Sequence, residues 1–185
     1  MKEALRRTGL LPPNDEFFTP ECAVFPLLNY IPGKRVLPLF LPRPPTDPAI
    51  IYWEPCCTGG RSGIADALER NGNKVIRTEQ SELDFLTNIP SFQFDVIITN
   101  PPYSLKDAFI KRCYELDKPW AMLMPLTALE GVARGAMFRE HGVELLVLDR
   151  RVQFQTGKKG VWFNTSWFCH GILPSKLMFA ELETP

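Results

Sequence analysis

Apolar positions fall into two alternating rhythms from about residue 49 to residue 150. Ala49 to Trp53 is β-branched and aromatic, which predicts a strand, and turn residues follow it. Gly63 to Arg70 (GIADALER) spaces its apolar residues at helical intervals, and Lys74 to Thr78 (KVIRT) is a second short strand. Phe94 to Thr99 (FDVIIT) is almost wholly apolar, as expected of a strand covered on both faces. Leu105 to Leu116 predicts a helix, Trp120 to Met124 a strand, Ala128 to His141 a helix, and Glu144 to Leu148 a strand. Two more strand-like segments lie between Val161 and Leu173 with no helix between them, which predicts an antiparallel hairpin at one end. Strands alternating with helices predict an α/β fold with a mainly parallel sheet. In such sheets ligands bind beyond the carboxyl ends of the strands, so the loops there are where chemistry is sought.

The rhythm is interrupted once, by the Pro-rich stretch from Ile31 to Pro48 (IPGKRVLPLFLPRPPTDP), which fits neither regular helix nor central strand. Too little chain precedes it to make a domain, so it reads as an insertion or surface flap in a single domain spanning residues 1–185. That length and 45% hydrophobic residues suffice for one buried core. The formal net charge of zero, from 21 basic and 21 acidic residues, argues against a generic polyanion binder. It leaves room for an enzyme whose positive charge is confined to one face. No apolar run is long enough for a signal peptide or a membrane span, which predicts a cytoplasmic protein. The five cysteines are scattered apart from adjacent Cys56-Cys57, which suits reduced thiols rather than disulfides or zinc. No metal site is expected.

Three strand ends carry candidate chemistry. After the first strand comes Glu54-Pro55-Cys56-Cys57-Thr58-Gly59-Gly60, whose small residues allow close backbone approach to a ligand ahead of the following helix. After the second stands Glu79, where a carboxylate can hold ribose hydroxyls, although an exposed Glu at a strand end is commonplace. Asp84-Phe85 could bracket a purine, or equally be a helix cap followed by a core Phe. The third strand ends in Asn100-Pro101-Pro102-Tyr103, which is the specific signal. Two consecutive prolines after a buried strand stiffen the backbone and remove two amide donors. They leave a rigid array of acceptors, the Asn100 carboxamide oxygen and nearby carbonyls, suited to an amino group. Tyr103 adds a flat face for a heterocycle.

On these residues the sequence resembles the amino-methylating class of S-adenosylmethionine-dependent methyltransferases, especially DNA adenine methyltransferases. Asn100 to Tyr103 matches the family's (Asp/Asn/Ser)-Pro-Pro-(Tyr/Phe) motif. Glu54 to Gly60 looks like its cofactor loop. Asn14-Asp15-Glu16-Phe17-Phe18-Thr19-Pro20 resembles an N-terminal motif that closes over the methionine moiety. The resemblance implies a Rossmann-like, seven-stranded class I methyltransferase sheet, mainly parallel, with an antiparallel strand at one end. It implies S-adenosyl-L-methionine as cofactor, held by Phe18, Thr19, Pro20, Glu54, Pro55, Cys56, Thr58, Gly59, Gly60, Glu79, Asp84 and Phe85. It also implies Asn100, Pro101, Pro102 and Tyr103 as catalytic residues for direct methylation of a flipped-out adenine amine. Two departures stand out. Cys57-Thr58 displaces the glycines of the usual cofactor loop, with Arg61-Ser62-Gly63 following, and no room remains for a separate target-recognition domain. Pro55-Cys56 also resembles the nucleophile of cytosine-ring methyltransferases, but that Cys belongs where Asn100 stands, so Cys56 reads as a buried structural residue.

Arg150-Arg151 and Gln153 to Trp162 (QFQTGKKGVW) read as a hairpin tip in which Lys158, Lys159 and Trp162 join the arginines against a phosphate backbone and splayed bases. A solvated turn is the competing reading. The partner expected is nucleic acid, DNA ahead of RNA. The same motif would also serve RNA adenine or guanine amines or a protein glutamine amide, and a catalytically silent binding subunit is the alternative from another class.

Overall fold

The computed structural model describes residues 17–31, 49–154 and 163–183. Within them seven strands form one sheet: β1 (Ile51–Glu54), β2 (Lys74–Arg77), β3 (Val96–Thr99), β4 (Trp120–Pro125), β5 (Glu144–Leu148), β6 (Thr165–His170) and β7 (Leu177–Ala180). The order is β2-β1-β3-β4-β6-β5-β7, all neighbours being parallel except at β6, which runs against both β4 and β5. The α/β class and the mainly parallel sheet follow the alternation in the sequence. The antiparallel strand expected towards one end is β6, but it forms no terminal hairpin with β7, because β5 lies between them. Burial explains the arrangement. Thr165 to Cys169 is buried throughout and requires a neighbour on both sides, whereas β7 alternates exposed and half-buried residues and serves as an edge.

The helices are α1 (Phe25–Leu28), α2 (Gly63–Arg70), α3 (Lys106–Glu115) and α4 (Val132–His141). The helix expected from Ala128 to His141 is split. Leu126–Leu129 coils as a 3-10 turn, Glu130 is extended, and Gly131 at φ 130° starts α4 afresh. That φ is a region open cheaply only to glycine. Between β2 and β3 the described chain forms turns and no helix. Trp53, Phe85, Phe92 and Phe94 pack there instead, with ring centroids 4.9–5.3 Å from that of Trp53.

Side chains alternate across the strands into two cores. Tyr52, Val96, Ile98, Ala121, Leu123, Trp167 and Cys169 face α1 and α2. Trp53, Ile97, Trp120, Met122, Met124 and Phe168 face α3 and α4. The strand order reverses between β1 and β3, so the crevice beyond their carboxyl ends is the place for a ligand. The Pro-rich residues 32–48 and Lys158, Lys159 and Trp162 lie outside the described residues. Among those described, no helix is long and apolar enough to cross a membrane.

Candidate active site

Two strand ends meet at the reversal through one buried carboxylate. Glu54, at the end of β1, is 1% exposed. Its Oε1 accepts the Cys56 amide at 2.9 Å and the Thr99 hydroxyl at 2.6 Å, and its Oε2 lies 3.0 Å from the Ser62 hydroxyl. Ser62 in turn caps α2 by accepting the Ala65 amide at 3.3 Å. Glu54 therefore ties β1, the end of β3 and the start of α2 to one point. Burial pushes its pKa up to about 7, against the opposing pull of the Thr99, Cys56 and Ser62 hydrogen bonds. With both oxygens engaged inside the protein, Glu54 shapes the loop rather than reaching beyond it.

The loop itself folds as a miniature hairpin. Thr58 and Arg61 exchange backbone hydrogen bonds of 3.1 and 3.2 Å across Gly59 (φ 58°) and Gly60 (φ 69°). Positive φ at both central positions is the requirement of a type I′ turn, so the displaced glycines serve the turn. Gly60 is held from both sides, its amide donating to Glu79 and its carbonyl accepting from Arg77 at 3.4 Å. Arg77 is itself fixed by Asp66 and Glu69 at 2.7 and 2.6 Å. Thr58, Gly59 and Gly60 are exposed, and a Cβ built on either glycine meets nothing within 4 Å. Pro55 is buried beneath them. The structural thiol is Cys57, 2% exposed, whose pKa burial pushes up to about 12, while Cys56 is only half-buried.

Gly63 has a different task. A Cβ there would sit 2.0 Å from the Thr19 carbonyl oxygen, so its absence lets the segment of Phe17 to Pro20 lie against the start of α2. Thr19 is buried, and Phe18 and Pro20 are half-buried. This segment then meets the turn after β3. The Asn100 Nδ2 donates to the Phe17 carbonyl and lies within hydrogen-bond reach of the Thr19 hydroxyl, both at 3.0 Å. A carbonyl only accepts, so the amide nitrogen must face it and the oxygen must face away. That oxygen, Oδ1, is buried and has no hydrogen-bond partner. Pro101 is buried and Pro102 half-buried. Tyr103, 8% exposed, stacks on Phe17 at 5.4 Å and 28° and meets Phe163 edge-on at 5.6 Å and 75°.

Of the residues singled out in the sequence, the structure gathers Phe18, Thr19, Pro20, Glu54 to Gly60, Glu79 and Asn100 to Tyr103 at one end of the sheet. It does not bring Phe85 to them. That ring is fully buried, stacked on Phe109 at 4.8 Å and 17°, and Asp84 turns the chain by accepting the Leu86 amide at 3.0 Å. The core alternative therefore describes Phe85, while Asp84 closes a turn and caps no helix. With no helix covering the sheet between β2 and β3, the core requires the Phe85 ring. Arg150 and Arg151 follow β5 at the same end of the sheet and are exposed, Arg150 3.8 Å from Asp149 and Arg151 donating to Asn164 at 2.9 Å. Sequence reasoning gave no role to Thr99, Ser62 or Phe163, and gave Phe17 only a place in the N-terminal motif. Ser62 was readable as a helix cap and Phe17 stood beside the Thr-Pro pair, whereas nothing local marks Phe163.

The sequence matches no family profile and no curated protein. Solved structures do match. One is a protein assigned as a class I S-adenosylmethionine-dependent methyltransferase from Listeria monocytogenes, 13% identical, covering 97% of this chain and 70% of that one with a TM-score of 0.60. Another is assigned as the modification subunit of a type I restriction enzyme from Vibrio vulnificus, 14% identical, with a TM-score of 0.50. The match to the latter covers 100% of this chain and 51% of that one, so the present chain spans about half its length. At such identities the likeness is one of fold: the α/β arrangement around the sheet described above is shared with the Listeria structure.

Proposed function

We propose that the chain is an S-adenosylmethionine-dependent methyltransferase acting on the exocyclic amine of adenine in DNA, by direct transfer to a base withdrawn from its stack. The observation that carries this reading is the Asn100 Oδ1: buried, aimed by the two acceptors that hold its Nδ2, and lacking a donor. An unmet buried acceptor costs roughly 1–3 kcal/mol, and a ligand bearing N–H relieves that cost. Pro101 and Pro102 have no amide hydrogen, so the turn offers acceptors to an amine.

The residues at the crevice fit the cofactor in part. Thr58, Gly59 and Gly60 present open backbone beside the Glu79 carboxylate, where an adenosine moiety would lie, and Phe18 to Pro20 would cover the methionine end. Glu54 serves this site by setting the loop. Bound there, S-adenosylmethionine supplies a methyl group on a positively charged sulfur. Asn100 Oδ1 and the Pro101 carbonyl would accept the two amine hydrogens, drawing the nitrogen lone pair out of the ring. Tyr103 would hold the ring by stacking; the new nitrogen–carbon bond would replace the carbon–sulfur bond, whose electron pair would stay on sulfur, and the amine would give one proton to water. Positioning supplies most of the rate in such a step.

Two considerations favour DNA. The Vibrio structure is described as part of a restriction enzyme. Arg150 and Arg151 stand exposed at the same end of the sheet as Asn100, where cations would meet a phosphate backbone. The test is methyl transfer from labelled S-adenosylmethionine to unmethylated DNA, total RNA and cell protein in parallel, with products digested and identified by mass spectrometry. Methyladenine in DNA that vanishes with Asn100→Ala supports the proposal. Label only in RNA or on glutamine replaces the substrate, and no transfer with no cofactor binding leaves a silent scaffold.

A further inference from the structure

The catalytic turn carries a feature that the transfer reaction does not use: its aromatic face is already covered. Tyr103 is 8% exposed, and the ring stacked on it belongs to Phe17, at 28° and 5.4 Å, within the range of an offset aromatic stack. Phe163 meets the same ring at 75°, so it borders the slot without lying flat on it. Phe154 and Phe163 also flank Phe17, at 5.3 and 6.0 Å. Two aromatic rings, Phe17 and Phe163, thus meet the one the reaction must expose, and Phe154 packs against Phe17.

We propose that Phe17 is a stand-in for the substrate ring: it lies on the face of Tyr103 that a flat heteroaromatic amine takes, and it is displaced when that ring arrives. This rests on the reading of Asn100 and Tyr103 as the amine-binding turn. The backbone of Phe17 is fixed, because its carbonyl accepts from Asn100 Nδ2 at 3.0 Å and Thr19 behind it packs on Gly63. Rotation about its own side-chain bonds moves the ring without disturbing that hydrogen bond. The exchange trades one stacked ring for another, and it confers selectivity. A nucleobase restores the stack lost when Phe17 leaves and also brings an N–H donor to Asn100 Oδ1. A glutamine amide brings the donor alone, so the covered slot favours a base over a protein side chain.

Nitration of tyrosine by tetranitromethane, located by mass spectrometry, reads the cover without any substrate. In the full chain Phe17→Ala should speed nitration of Tyr103 roughly fivefold, within the range set by the loss of one ring stack. Buried Tyr52 should stay unreactive, which shows that the fold is intact. Phe17→Leu, which keeps apolar bulk but not a flat face, should fall between. Single-stranded oligo(dA) should then bind Phe17→Ala about fivefold more tightly than the parent and protect Tyr103 from nitration. Equal nitration of Tyr103 with and without the Phe17 ring overturns the proposal and leaves the amine-binding turn untouched. Weaker oligo(dA) binding by Phe17→Ala overturns it too, since Phe17 would then be a wall of the slot. If truncation exposes Tyr103 but oligo(dA) protects it in neither protein, the cover is real. In that case the nucleobase reading fails and takes the proposed occupant with it.

Discussion

The loop after β1 is anchored by a buried carboxylate, Glu54, and the turn after β3 carries a half-buried carboxamide with a buried oxygen, Asn100. The two are treated in opposite ways. Glu54 has hydrogen-bond partners on both carboxylate oxygens. Asn100 has partners for its nitrogen and none for its buried oxygen. They are joined through adjacent residues, since the Thr99 hydroxyl that reaches Glu54 immediately precedes Asn100. A fully satisfied buried group gives rigidity, whereas a half-satisfied one is tolerated where a partner comes from outside. Under the proposed function, the contrast separates the residue that builds the site from the residue that would use it.

Removing Asn100 should break the comparison most visibly. Asn100→Ala is expected to lower kcat by about 10²–10³, the range for losing one preorganised contact to a developing charge. Its melting temperature should change little, because the lost Nδ2 hydrogen bonds are offset by relief of the orphaned oxygen. Labelled methyl transfer and a thermal melt on the same preparation check both halves. A large drop in melting temperature would mean that Asn100 is a structural residue like Glu54.

Glu54→Ala should do the reverse. It leaves the Cys56 amide and the Thr99 and Ser62 hydroxyls without their acceptor in a buried place. The expected cost is about 3–4 kcal/mol of stability, seen as a melting temperature lower by roughly 6–16 °C for a chain of this size. Activity measured well below the new midpoint should fall mainly through weaker cofactor affinity, because the loop loses its anchor. Equilibrium binding of S-adenosylmethionine separates that effect from chemistry. Gly63→Ala should come next, at about 2–3 kcal/mol, because its Cβ drives into the Thr19 backbone and pushes the anchor away from Asn100.

The sequence reveals these two regions unequally, for physical reasons. Asn100 to Tyr103 is legible because consecutive prolines after an apolar strand constrain the backbone by themselves, whatever surrounds them. The alternation of strands and helices was legible for the same local reason, and it placed the carboxyl ends of β1 to β5 closely, whereas β7 lies beyond the span expected for the last two strands. Glu54 was legible as a position but not as a role, since its partners Thr99 and Ser62 are brought to it only by tertiary structure. Phe85 could be read either as a ligand contact or as a core ring. The missing crossover helix decided the matter, and no local pattern announces an absent helix. The position of β6 between β4 and β5 was hidden because strand order depends on burial across the whole sheet. Gly131 ends one turn and starts α4 inside a stretch whose apolar spacing alone reads as continuous helix.

The smallest expected effect tests whether Glu54 is as enclosed as its hydrogen bonds imply. Its pKa is raised from 4.5 to about 7 in the folded protein, so the native state holds this proton at pH values where the unfolded chain has lost it. Stability from this group is therefore complete below about pH 4.5 and is lost as pH rises through about 7. Between pH 6 and pH 8 the loss amounts to about 1.4 kcal/mol, or a melting temperature lower by roughly 3–6 °C. Glu54→Gln keeps the shape but cannot ionise, so its melting temperature should change less with pH. Subtracting its curve from the parent's removes every other titration. A difference that declines across this window locates the proton on Glu54. A flat difference would mean that the Thr99, Cys56 and Ser62 donors outweigh burial and keep the carboxylate ionised. In that case the β1 loop would hold a standing negative charge beside the crevice proposed to receive a positively charged sulfur.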